Sequence, residues 1–596
     1  MTLEASLIVN CDDAVIFWRI KARIADCWGF AIERERKRAD GTVERQTLDN
    51  RMGFKGDKPK RGEHRSSKIW PLQRFWWADH EVNLGDKVRY RVIPMVREGD
   101  VLRELLGQRS KWTAWALLSG GAQDGYASFF NRGLVISQFM SRYLEDLRVR
   151  DGLATRKAAL AAFKKSLSDH ELPIRRFLAG ALRTRMLELL AQAQRSGQQV
   201  YAALYELADS ELIDALAALG ASAHVVLANG SITAAQGEPA AQARQRDQNA
   251  QARAALRTAG VEVLDRFTSP GALGHNKFLV ITDKLKQPRA VWTGSTNWTS
   301  TGLCTQINNG LLISNREVAR EYFAQWQRLA DAKSAFPATL VDSNSLPKTV
   351  TTGASSATIW FTRTRGAVDL EAINEVLQSA QEGVLFLMFQ PGGAGALGTV
   401  RKLQKERPAL YIKGVVSTLP ADSSSDSSSD SGSDSTGDGG AVSVALHGAT
   451  GKSSVDLNVV QPSGFKTPFA NWAATVTRSD FITGQGGVIG YAIVHSKLIV
   501  VDPFTRPTVI TGSHNFSKSA SAKNDENFVI VRGNRELALH YGAHILSVYH
   551  HYRWLAFVSD LQSQGKPLSG FLRENDRWQD SRLSGPARRE LDFWVR

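Results

Sequence analysis

The chain has 596 residues, 43% of them apolar, and its 74 Lys and Arg against 59 Asp and Glu leave a formal charge of +15. That length speaks against a single compact domain and for two to four; the apolar share is that of an ordinary globular protein, and no apolar run is long enough to span a membrane. The positive balance, with a pI near 9.7, suits a polyanionic partner, nucleic acid or an anionic membrane surface, without choosing between them.

The opening MTLEASLIVNCDDAVIFW has no basic region, clean apolar stretch or small-residue cleavage site. No secretory signal is expected there and a cytoplasmic location is, with signal-independent export left open. Three cysteines, Cys11, Cys27 and Cys304, are too few and too odd for a disulfide framework, and no Cys/His cluster has zinc spacing. Neither a structural metal nor a cofactor is expected.

Residues 1–110 read as β. DAVIFWRI, CWGFAIERE and KVRYRVIPMV alternate, are rich in aromatics and are separated by turns such as RADGTVE and NLGDK. Their order resembles a fibronectin type III-like sandwich. Trp18, Trp28, Trp76 and Trp77 are candidates for a ligand platform, but core filling is the better reading for all except one of the adjacent pair Trp76 and Trp77, since neighbours on a strand face opposite ways.

From about residue 111 the pattern becomes α/β. PIRRFLAGALRTRMLELLAQA sets Ile174, Phe177, Leu178, Ala181 and Leu182 on one helical stripe. QQVYAALYEL follows as a buried strand, then DSELIDALAALG as a helix capped by Asp209 or Ser210, and SAHVVLANG as another strand. The stretch from Ala234 to Gly260 reads as a loop and an exposed helix. The scheme then restarts, with a helix in DLEAINEVLQSAQ, a buried strand in GVLFLMFQPG, a helix in GTVRKLQKER and a strand in ALYIKGVVS. Residues 421–440, nearly all Ser, Asp and Gly, read as a solvated disordered insertion. ELALHYGAHILSVYHHYRWLAFVSDL closes the pattern as a long helix. The expected units are 1–110, 111–345 and 346–596.

A chemical motif repeats with the restart. GHNKFLVITD, TGSTNWTS and QINNG in the first half match VHSKLIVVD, TGSHNFSKS and KNDENF in the second. Each half thus has His-x-Lys, a following aspartate and Gly-Ser-x-Asn: His275, Lys277, Asp283, Gly294, Ser295 and Asn297, then His495, Lys497, Asp502, Gly512, Ser513 and Asn515. Side chains at i and i+2 of a strand share a face, so each histidine stands beside its lysine. Histidine serves as nucleophile or general acid, lysine as a point charge for a phosphate oxygen, and asparagine and serine as donors to the other oxygens. One set is half a cradle; two sets facing each other complete one for a phosphodiester. The glycines read as positions of close backbone approach.

These motifs resemble those of the phospholipase D superfamily, over roughly residues 130 to 560. The resemblance implies two α/β halves related by a pseudo-two-fold axis with the active site at their seam, and a covalent phosphohistidine later released to water or another alcohol. It also implies His275 as nucleophile and His495 as general acid, with no metal. Two departures stand out. The family spaces its lysine and aspartate by four residues, as LIVV does before Asp502, whereas FLVIT places five before Asp283, which turns that side chain to the other face unless a bulge absorbs it. Aligning the two Gly-Ser-x-Asn segments also sets Glu526 against Asn308, a carboxylate against an amide, so the two histidines should differ in role. Which histidine Glu526 contacts stays open. The substrate is expected to be a phosphodiester, with a phospholipid head group favoured over nucleic acid, and one chain suffices for the site.

Overall fold

A computed structural model of the chain describes residues 3–60, 63–133, 137–391, 395–417, 444–448, 457–462, 494–563 and 570–596. The Ser/Asp-rich segment 421–440 lies outside the described residues.

The molecule is a mixed α/β structure whose first hundred residues are rich in sheet. A three-stranded sheet (Glu4–Val9, Ala14–Arg19, Trp76–Asp79) lies over a five-stranded one containing Cys27–Lys37 and Lys87–Glu98. Alternation turns Ile16, Trp18, Phe30, Ile32 and Val92 into the core between them. Trp18 is fully buried and meets Phe30 edge-on at 5.6 Å, so it is a core residue. Trp28 packs on Phe54, Trp77 lies under the Arg74 guanidinium, and Trp76 stacks on His550 of the long helix at 3.7 Å. The four rings therefore form no common platform. The end of the chain returns to this region: Trp578 and Leu591 fill its core, and Trp578 donates its indole N–H to Cys27 O.

The two halves that follow repeat one sheet. In the first, strands run in the order Tyr126–Phe130, Asn309–Ile313, Pro288–Gly294, Lys277–Thr282, Gln199–Leu204, Ala223–Ala228, Glu262–Arg266. In the second, Ser355–Phe361, Asn527–Arg532, Thr508–Gly512, Leu498–Val501, Gly383–Met388, Tyr411–Val416 and Leu457–Pro462 occupy the same places, extended by Lys348–Thr352 at one edge and Val444–Gly448 at the other. The central strands Lys277–Thr282, Leu498–Val501 and Gly383–Met388 are buried along their whole length and mostly apolar, as sheets covered on both faces require.

One hydrophobic core crosses the seam, joining Val280 and Val291 to Val500 and Val509. Phe278, Tyr322 and Phe361 pack edge to edge within it. The helix Arg535–Ser563 contacts both sheets and the N-terminal strand. Of the expected helical stripe, Ile174, Leu178, Ala181 and Leu182 are buried, but Phe177 is exposed, because the helix Pro173–Ser196 breaks at Gly180 (φ 55°) and Phe177 lies beneath the Arg132 guanidinium. The stretch read as one exposed helix holds two, Ala240–Ala243 and Ala250–Thr258, and the second buries Leu256. Among the described residues no helix is long and apolar enough to cross a membrane.

Candidate active site

Each histidine sits just before a central strand: His275 ahead of Lys277–Thr282, His495 ahead of Leu498–Val501. Both rings and both lysines are buried at the seam. Lys277 Nζ donates to His275 O at 2.9 Å, and Lys497 Nζ to His495 O at 2.8 Å. The two ammonium groups therefore occupy equivalent places. The charges of both lysines act on both rings, so the four side chains converge across the seam.

The partners of the rings are crossed. His275 Nδ1 meets Glu526 Oε2 of the second half at 2.7 Å, and His495 Nδ1 meets Asn308 Oδ1 of the first half at 2.9 Å. Ser513 Oγ donates to the same Glu526 oxygen, and Ser295 Oγ to Asn308 Oδ1. Asn308 Nδ2 donates to Gly302 O at 2.8 Å, which turns its oxygen toward His495. A second crossed pair braces the seam: Thr293 Oγ1 donates to Asn527 Oδ1, and Asn309 Nδ2 to Thr511 Oγ1. Within each half, Gly294 and Gly512 let the strand that carries these residues approach its neighbour closely. A Cβ on Gly294 would lie 2.3 Å from Asn309 O, and one on Gly512 2.2 Å from Asn527 O.

Burial sets the electrostatics. It pushes Glu526 up to about 8, against the opposing pull of Lys277 and donation from Ser513 and Asn524. It holds His275 and His495 well below the usual histidine range, and the lysine charges add to the effect. Both rings are thus neutral at rest. Donation of Nδ1–H to Asn308 Oδ1 leaves the Nε2 lone pair of His495 unprotonated; His275 reaches the same tautomer when Glu526 is ionised.

The remaining predicted residues divide. Ser295 and Ser513 hold the amide and the carboxylate that touch the rings. Asn297 and Asn515 are buried; Asn297 Nδ2 donates to Glu206 Oε2 at 2.6 Å. The aspartates require correction. Asp283 and Asp502 lie at the far ends of their strands, five or six residues past the lysines, roughly 17–20 Å at 3.3 Å per residue. Asp502 accepts the backbone N–H groups of Gln381, Glu382 and Gly383 and pairs with Arg506. Asp283 sits in the turn between Lys277–Thr282 and Pro288–Gly294 and accepts from Leu285 N, Gln287 N and Arg289; the register shift beside Ile281 and Thr282 places its extra residue, Arg289, on the partner strand, so the longer spacing before Asp283 is not absorbed within its own strand. Both clamp a strand end and neither reaches a histidine.

Sequence reasoning missed two aromatic rings. Tyr205 lies 4.7 Å from the His275 ring and under the Lys277 ammonium; Phe389 lies 4.8 Å from His495 and under Lys497. Each follows the strand paired directly with the His-x-Lys strand of its half, Gln199–Leu204 or Gly383–Met388, so YAALYE and LFLMFQ carried the signal.

Residues 186–330 and 450–548 match the family model described as cardiolipin synthase, PLD-like domain. No curated protein matches the chain. Among solved structures, phosphatidylserine synthase of Haemophilus influenzae is 12% identical, with 65% of this chain and 91% of that one covered and a TM-score of 0.38. Nuc of Salmonella typhimurium, a phospholipase D family member, is 17% identical over 24% of this chain and 84% of that one, with a TM-score of 0.19. A yeast tyrosyl-DNA phosphodiesterase mutant is 10% identical over 56% and 81%, with a TM-score of 0.28.

Proposed function

We propose that this chain, whose two halves carry the phospholipase D-like domain, hydrolyses a phosphodiester in two steps through a phosphohistidine on His275. The observation that carries this reading is the unequal, crossed pairing of the rings: a carboxylate on His275 and an amide on His495. The carboxylate raises the basicity of His275 and fixes its proton on Nδ1, which suits a nucleophile. The amide fixes the tautomer of His495 without stabilising its cation, which suits an acid that must give its proton away.

In the first step His275 Nε2 forms a bond to phosphorus while the bond to the leaving oxygen breaks, and His495 Nε2–H protonates that oxygen. In the second, water attacks phosphorus, His495 takes its proton, and the P–N bond breaks. Lys277, Lys497, Asn297 and Asn515 hold the charge of the equatorial oxygens. The two lysines provide positive charge there and the two asparagines neutral donors.

A phospholipid head group is the favoured substrate, supported by two motifs in one chain and by the description of the matching family model. Nucleic acid is the second reading, favoured by the charge of +15. Parallel turnover assays in EDTA, on phosphatidylcholine/phosphatidylglycerol vesicles and on labelled single- and double-stranded DNA, separate them. Head-group release lost in both His275→Ala and His495→Asn establishes the phospholipase; DNA cleavage lost in both establishes the nuclease. Activity that survives in both variants overturns the two-histidine mechanism.

A further inference from the structure

The strand Tyr126–Phe130 runs into Asn131 and Arg132, and its equivalent Ser355–Phe361 runs into Thr362 and Arg363. Asn131 Oδ1 accepts the Asn308 N–H at 2.9 Å, and Thr362 Oγ1 accepts the Glu526 N–H at 2.9 Å. Each arginine thus follows the residue that anchors a histidine's partner, and the two arginines are pseudo-symmetric equivalents. Their surroundings are not equivalent. Arg132 is neutralised by the buried carboxylate of Asp12, at 3.0 Å, from the N-terminal sheet region.

Among the described residues Arg363 pairs with no such carboxylate. Its guanidinium lies on the Phe336 ring, 3.3 Å from the centroid, and its Nε is buried without a hydrogen-bond partner. The carboxylate that acts on it is Asp525, but Arg266 occupies Asp525 with both Nε and Nη2 and shares the Phe336 ring at 4.9 Å. Arg244 adds its charge to the same group, and its Nε is also buried without a partner. Arg266 and Arg363 therefore share one ring and face one carboxylate, with the charge of Arg244 acting on Arg363, beside the segment that leads into His275, where Leu273 O accepts the Asp525 N–H. A buried N–H without an acceptor is costly, and the guanidinium fork matches a phosphate oxygen pair.

We propose that Arg363 and Arg244 hold a second phosphate group of the substrate molecule, displaced from the scissile phosphodiester on the His275 side. The inference rests on the phosphodiesterase reading above and narrows its substrate class to molecules with two phosphates. It also gives the site a polarity. Asp12 closes the equivalent position in the first half, so a substrate with two phosphates enters in one direction.

The test uses the full chain and direct calorimetric binding, which needs no turnover. Tripolyphosphate is expected to bind about tenfold or more tighter than inorganic phosphate, and Arg363→Ala and Arg244→Ala each to shrink that ratio to about threefold or less. Arg244 lies on a different element from the Phe336 stack, so its variant guards against a folding defect at Arg363. Equal affinities for the two anions, or a ratio unchanged in both variants, overturns the proposal. Two further pairs of probes identify the source: phosphatidylglycerol against phosphatidylglycerol phosphate in vesicles, and a thymidine dinucleotide without and with a 5′-phosphate. The pair in which the extra phosphate lowers KM in an Arg363-dependent way carries the natural chemistry. An Arg363-dependent binding ratio with no turnover of any diester supports the subsite and overturns the hydrolase reading.

Discussion

Glu526 and His275 meet at 2.7 Å although they belong to opposite halves of the molecule. The equivalent contact of Asn308 with His495 crosses the seam the other way. Neither half completes its own histidine, so the seam is a chemical unit as well as a packing surface. The asymmetry of the two contacts is what assigns unequal roles to two otherwise matching motifs.

The protons of the coupled set predict a pH profile. The reactive form holds one proton on His495 Nε2 with Glu526 ionised; the resting form holds that same proton on Glu526. With Glu526 raised to about 8, the proton leaves above that pH. We therefore expect kcat/KM to fall about tenfold per pH unit above about 8, and Glu526→Gln to lose that limb along with about 10²–10⁴-fold in kcat. A profile that keeps its limb near 8 in the variant would assign the titration elsewhere.

The same shift predicts a stability effect. A carboxyl raised from 4.5 to about 8 on folding means that the folded chain binds the extra proton between those values. Its contribution is present below the lower value and is lost as pH rises through the upper one, on the order of a few kcal/mol for so buried a group. Glu526→Gln should accordingly gain thermal stability relative to the parent as pH goes from 5 to 8.5, measured by calorimetry. No change in the Tm difference across that range would contradict the shift.

Asn308→Asp would place a carboxylate on both rings. It should stabilise the His495 cation, weaken that group as an acid, and lower kcat about 10–100-fold for a poor leaving group. With a 4-nitrophenolate leaving group, which needs no protonation, the loss in the first step should be small. Equal losses for both leaving groups would show that Asn308 acts through something other than the acid.

Asp502→Ala removes the acceptor for three backbone N–H groups and should cost about 2–4 kcal/mol of stability while leaving kcat within about twofold. Asp283→Ala, in an exposed turn, should cost about 1 kcal/mol or less. Denaturant unfolding and turnover together check both. A large fall in kcat without a loss of stability would restore a chemical role to either aspartate.

Much of this arrangement is legible in the sequence because strand alternation and motif spacing are local. Two His-x-Lys segments on matching strands identify the pairs of side chains, and the repeat of buried strands and helices identifies the two halves. The contact of Glu526 was not legible, since it depends on how the halves are juxtaposed. The aspartates misled because a carboxylate that clamps a strand end follows its lysine at much the same spacing as one that does chemistry; the first half sets Asp283 one residue later than Asp502 and still clamps its turn. The docking of Trp578 into the N-terminal sheets joins residues more than 500 positions apart, and no local pattern encodes that.

The most direct test is rapid quenching of the His495→Asn variant with a 4-nitrophenyl phosphodiester labelled in the phosphoryl group, followed by peptide mapping. The first step proceeds without an acid, and the second stalls without a base to activate water. An acid-labile phosphoryl group on His275, formed with one equivalent of released nitrophenolate, is the predicted result. Label on any other residue, or full turnover with no label on His275, would contradict the account.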